Sequence, residues 1–175
     1  PRLTAHLPHG EAARPLADGH RRRIFFGLVD VTDPNVFGLG YDEVDAQGNQ
    51  VLDSFHPIKA FDPSNPYLCI PLAAGQMPVR GAWELVNLAT ENHNFHVHQT
   101  KFRAVDAAAP VGSPLHPTLD PSVGAGVMED EASLQIATPV PAIADQVANN
   151  QNGYCTVQQW LGQECLNVPK LVDIP

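Results

Sequence analysis

Apolar residues in this chain fall in short runs separated by turn-forming residues. After Arg23 the run Ile24-Phe25-Phe26-Gly27-Leu28-Val29 reads as a short apolar strand, and Asp33-Pro34-Asn35 marks the turn that follows. Val44 to Leu52 reads as a hairpin in which Gln47-Gly48-Asn49 supplies the positive φ of a tight turn. Phe61 to Pro71 is a proline-punctuated loop with a short strand predicted at Tyr67–Ile70. Val79 to Leu88 is predicted to be a strand. Glu84, Val86 and Leu88 share one of its faces, and Trp83, Leu85 and Asn87 the other. Apolar residues on both faces place that strand inside a sandwich rather than on an edge. Thr90-Glu91-Asn92 is the turn into the next strand, predicted from His93 through Phe102 to Val105. Residues 107–150 read as a long loop-rich insertion in which a helix starts near Pro141 and covers Ala142 to Ala148. A helical turn is predicted at Thr156–Leu161, capped by Thr156 and ended by Gly162, and a further strand starts at Leu171–Ile174.

Many short strands with proline- and glycine-rich turns indicate an all-β antiparallel sandwich or barrel with long loops and one or two short helices. Seventeen prolines and thirteen glycines reinforce this, because both residues interrupt helices. A length of 175 residues suffices for one domain with a sizeable core. Residues 1–20, with Pro8, Pro15, His6, His9 and His20 but little periodicity, read as an interdomain linker or leader. There is no internal repeat. The formal charge of −9 disfavours nucleic acid as a partner, since phosphate binding needs a basic surface. The only basic cluster, Arg21-Arg22-Arg23, precedes an apolar run and is expected to anchor a strand start. No apolar run approaches the length needed to span a bilayer.

The candidate chemistry lies in the strand His93-Asn94-Phe95-His96-Val97-His98-Gln99-Thr100-Lys101-Phe102, which holds three of the chain's eight histidines within six residues. Side chains alternate across a strand. His96 and His98 therefore project from one face, and an uninterrupted strand sends His93 to the face of Phe95 and Val97. This division suits two metal centres better than one. Imidazole is the commonest metal ligand and suits copper, zinc, iron and nickel. A strand edge merely rich in histidine is the competing interpretation, and the period-two spacing speaks against it.

His-Asn-Phe-His-Val-His-Gln-Thr-Lys-Phe closely resembles the first copper-binding motif of the last cupredoxin domain in multicopper oxidases, the family of laccases and bilirubin oxidases. Asn94 stands where the family commonly has proline, which leaves the ligand spacing intact. Gly81 to Asn87, and the stretch from Cys155 through Trp160 to Cys165, Val168-Pro169 and Val172 to Pro175, are similar to the family as well. The resemblance implies a cupredoxin-like fold over residues 21–175, forming most of a C-terminal domain that stops before its last strands. It implies that His93 binds type 1 copper, His96 type 2 copper and His98 type 3 copper. The copper ligands are then the catalytic machinery, with Asn92, Asn94, Gln99 and Thr100 as candidates to bond a ring nitrogen or a copper-bound water.

The family's second motif, His-Cys-His, occurs nowhere in the sequence, and a blue-copper site needs a thiolate beside two imidazoles. The expectation is therefore a fragment, inactive alone, whose partners are the rest of the same enzyme, dioxygen, and a phenolic, pigment or metal-ion reductant. A copper-sequestering module without turnover is the alternative. Of the three cysteines, Cys155 and Cys165 lie ten residues apart and can close a small loop or remain free thiols. The resemblance implies that they form a disulfide. Such a bond would place the protein in a periplasm or outside the cell. Cys69 is expected to be a buried small apolar residue or to bridge to a segment outside this sequence.

Overall fold

A computed structural model describes residues 16–17, 19–62, 64, 68, 81–97, 101–105, 131–149 and 153–174. The described chain is mostly β, as the turn-punctuated pattern predicts, with only two short α-helices. Strands β1 (Arg21–Leu28), β2 (Phe37–Val44), β3 (His56–Ala60) and β4 (Gly81–Asn87) are followed by β5 (His93–His96), β6 (Arg103–Val105) and β7 (Glu131–Leu134). Then come β8 (Thr138–Pro139), a 3-10 turn (Pro141–Ile143), α1 (Ala144–Asn149), α2 (Val157–Leu161), β9 (Cys165–Leu166) and β10 (Lys170–Ile174). A six-stranded sheet runs β3-β2-β1-β4-β10-β6, and β5 pairs with β7 in a second sheet. The large sheet is mixed: β1 and β4 are parallel, with Ile24 opposite Leu85, and its other pairs are antiparallel.

Both faces of β4 are covered, as its two apolar faces require. Trp83 and Leu85 join Ile24, Tyr41 and Val172 beneath the small sheet, which contributes Phe95, Ala132 and Leu134. On the opposite face Val86 and Leu88 pack with Phe25 and Val157, and Phe55, Ile58 and Trp160 flank them. Thr156 caps α2 through a reciprocal capping box with Gln159, and Gly162 closes the helix. The hairpin turn at Asp45–Asn49 has Gly48 at φ +88°, with the Asp45 carboxylate accepting from the Gln47 and Asn49 amides at 2.9 and 2.8 Å.

The structure departs from the sequence pattern in three places. The first is the histidine strand, which does not run unbroken to Val105. It ends as β5 at His96, while β6 belongs to the large sheet and pairs with β10. Next, β2 and β3 form an antiparallel pair that the pattern does not announce. Gly38 and Gly40 lower the strand propensity of β2, yet close approach of β3 demands them. A Cβ at Gly38 would collide with the Lys59 carbonyl, and one at Gly40 would lie 2.9 Å from the Ile58 nitrogen. Finally, the loop-rich span 107–150 contains the strands β7 and β8 within its described part, ahead of the helix expected from Pro141, which forms as the 3-10 turn and α1. The strand predicted at Tyr67–Ile70, Cys69 and most of the 1–20 linker lie outside the described residues.

The Cys155 and Cys165 sulfurs are at bonding distance, 2.06 Å, and the pair ties the start of α2 to β9 amid Ala137, Ile143 and Val147. Closing a loop of this length restricts the unfolded chain by about 3 kcal/mol. Denaturant melts with and without reductant should differ by about that amount. Coincident melts would mean that the bond does not form in solution.

Candidate metal centre

β5 is only four residues long, but its pleat is well resolved by burial. Phe95 points into the core and touches Phe26, Trp83 and Phe102 with ring centroids 6.1, 6.1 and 5.2 Å away. Asn94 and His96 are exposed on the other face. Pairing with β7 sets His93 opposite Leu134, Asn94 opposite Ser133 and His96 opposite Glu131. The Ser133 hydroxyl donates to Asn94 Oδ1 across the strands at 3.2 Å.

His93 shares the Phe95 face and is half-buried. Its ring lies on Phe37 with centroids 4.7 Å apart and planes 25° from parallel, and Phe37 meets Tyr154 edge-on at 6.4 Å. The buried His93 Nε2 has no hydrogen-bond partner among the described residues. Its nearest charge is Glu91 Oε1, 3.6 Å away. The same Glu91 oxygen accepts a short hydrogen bond from the Tyr154 hydroxyl.

Local backbone chemistry builds this corner. Asn87 Nδ2 donates to the Glu91 carbonyl at 2.8 Å while its Oδ1 accepts from the Ala89 amide at 3.0 Å, which pins the turn leading to β5. The Cys155 amide donates to the Leu88 carbonyl at 2.9 Å, bringing Tyr154 alongside. Gly153 turns the chain there at φ +70°, where a Cβ would sit 3.2 Å from Thr90 Oγ1. Tyr154 packs with Leu28 and Ala89. Burial, and then the neighbouring Glu91 carboxylate, push its phenol above the usual tyrosine range.

A raised folded-state value favours the protonated phenol. The associated stability is present in full below about pH 10, the ordinary tyrosine value, and declines as pH climbs above it. Urea melts of the wild type should therefore lose stability as pH climbs from about 10 upward. Tyr154→Phe should lose less over the same interval, and equal losses would contradict the buried phenol.

As candidate metal residues, His93 and His96 occupy opposite faces of one strand, whereas His98, Gln99 and Thr100 lie outside the described residues. Among the described residues no three His, Cys, Asp or Glu side chains converge as a metal-binding group. Cys155 and Cys165 are joined to each other, so neither offers a thiolate. The half-buried His93 ring keeps Nε2 without a hydrogen-bond partner among the described residues, 3.6 Å from the Glu91 carboxylate. Glu91, Phe37 and Tyr154 escape a reading of the sequence. Glu91 registers there only as a turn residue, and Tyr154 lies 63 positions away from it. Compared with protein-family models, curated proteins and solved structures, the chain matches none.

Proposed function

We propose that this chain is a cupredoxin-like part of a multicopper oxidase, holding type 1 copper through His93 and contributing His96 and His98 to a type 2/type 3 trinuclear cluster. The observation that carries the reading is the division of β5: a half-buried imidazole with an uncommitted nitrogen on one face, and an exposed imidazole three residues on upon the other. Copper, when bound, supplies one-electron oxidation of the reductant and four-electron reduction of dioxygen to water. The chain's residues fix where its ligands stand. The Phe37 stack and the β5–β7 register orient His93, and the same register sets His96 beside Glu131 on the exposed face.

The thiolate and further imidazoles come from parts of the enzyme outside this sequence, so this chain alone is inactive. The reductant is a phenol, a pigment or a metal ion. The Cys155–Cys165 pair supports a periplasmic or secreted location. Among the described residues no helix is long and apolar enough to cross a membrane.

The visible spectrum of the intact copper-loaded protein tests this. A strong blue thiolate-to-copper band that disappears in His93→Ala is expected. A colourless copper-binding protein would favour sequestration without turnover, and an unchanged blue band in His93→Ala would remove that residue from the site.

A further inference from the structure

We infer that the cavity between the Asp45–Asn49 turn and the end of α2 binds a neutral saccharide, with Gln163 and Trp160 as its main contacts. The cavity holds about 570 Å³, within the range of roughly 300–1,000 Å³ that small organic ligands occupy. It lies on the Phe25 and Val86 side of the large sheet, away from β5, and so does not depend on copper. Among the described residues Arg23 is the only charged one in its lining, and the buried Asp42 already neutralises that guanidinium. A charged ligand therefore finds no free counterion there. Asn49 and Gln50 spend their side-chain N–H groups on Asp45 and Asp42, which leaves a carbonyl oxygen on each to accept. Trp160, Leu161 and Leu166 add apolar surface. Hydroxyls that donate to such carbonyls, carried on a ring with an apolar C–H face, are the chemistry of a sugar.

Gln163 points the same way. Gly162 closes α2 at φ −77°, a value any residue adopts, and the left-handed turn falls one position later, on Gln163 at φ +59°. Helices that end this way usually place glycine there. Asp53, the other non-glycine residue with positive φ among those described, is of a type that tolerates the region, and glutamine is not. The helix end thus keeps a strained long amide where glycine would relax the backbone. That side chain is exposed, lines the cavity and makes no hydrogen bond among the described residues. Strain held for a group without an internal partner points to a partner from outside. The rest of the wall is fixed in advance. Trp160 Nε1 donates to Asn167 Oδ1 at 2.7 Å, and Asn167 Nδ2 donates to the Asn87 carbonyl at 2.7 Å. The Cys155–Cys165 pair holds β9 to the start of α2. A wall set in this way loses little freedom when a ligand enters.

The test titrates the nitrogen-15-labelled 175-residue chain with glucose, cellobiose, maltose and N,N′-diacetylchitobiose, followed by NMR. Its two tryptophans supply an internal control, since Trp83 lies in the core on the opposite face of the sheet. Saturable shifts of the Trp160 indole and the Gln163 side-chain amide with at least one of these sugars are expected, while the Trp83 indole stays unmoved. Gln163→Gly should weaken that binding about tenfold, the scale of a lost hydrogen bond. It should not lower the urea midpoint, because glycine suits the backbone there. No saturable shift with any of the four sugars overturns the inference, and so does equal affinity in Gln163→Gly. Lost binding with a lowered midpoint would make Gln163 a structural residue and overturn its role as a contact. Adenosine and glucuronate serve as comparison probes. Adenosine binding more tightly than every sugar would assign the cavity to a planar base instead, and a preference for glucuronate over glucose would contradict a neutral ligand.

Discussion

Asp42→Ala is expected to destabilise the fold by about 3–5 kcal/mol, the cost of leaving a buried charge without its partner. The Arg23 guanidinium grips the Asp42 carboxylate with both arms, Nε to Oδ1 at 3.0 Å and Nη2 to Oδ2 at 2.5 Å. Both side chains are buried, and Gln50 Nε2 adds a third bond to Asp42 at 2.7 Å. Burial pushes the Asp42 carboxyl up, while the guanidinium and the Gln50 amide pull it the other way. Arg23 also lies 5.1 Å over Trp160 and 5.3 Å over Phe25, so its stem and head lock α2 onto β1. Without Asp42 that guanidinium stays buried and uncompensated. Removing both charges together differs from removing one. An Arg23→Met/Asp42→Leu variant should recover most of the loss, because apolar replacements of a buried pair are often nearly neutral. Urea melts of the single and double variants decide this. A double variant as unstable as Asp42→Ala would show that the pair is needed for its geometry and not merely for charge balance.

If the proposed copper sites exist, His96→Ala in the intact protein is expected to bring oxygen uptake down to background while the proposed type 1 centre remains reducible by substrate. The pleat of β5 turns His93 and His96 to opposite faces. His96 stands on the exposed face and makes no part of the corner formed by His93, Phe37, Glu91 and Tyr154, so its removal should leave that corner intact. His98→Ala should behave in the same way if the period-two spacing places it on the His96 face. Stopped-flow bleaching of the blue band by a reductant, beside an oxygen electrode, separates the two half-reactions. Full oxygen uptake in His96→Ala would remove that residue from the cluster. Loss of bleaching together with oxygen uptake would mean that His96 serves the site of His93 and that strand pleating does not divide them.

The sequence makes some of this molecule legible and hides the rest for physical reasons. β1, β4 and β10 announce themselves because both faces of the sheet are covered, which produces dense apolar runs such as Ile24-Phe25-Phe26. α2 is legible from its cap, since Thr156 and Gln159 satisfy each other locally. By contrast β2 is disguised by Gly38 and Gly40. Those glycines answer to the nearness of β3, a tertiary fact that no local window contains. The parallel pairing of β1 with β4 is hidden for the same reason. The break between His96 and Arg103 is also tertiary, because β5 and β6 take their partners from different sheets. At the candidate site, alternation alone divides His93 from His96. The carboxylate and phenol behind His93 depend on a loop arriving from 63 residues away, and nothing in either local sequence signals it.

A crystal structure of the intact protein grown with copper, with anomalous scattering recorded at the copper edge, tests directly whether β5 divides two metal sites. One isolated peak within bonding distance of a His93 ring nitrogen is expected, with a separate group of peaks beyond His96 on the other side of the strand. A single ion bound by both rings, or no anomalous peak near either, would contradict that division.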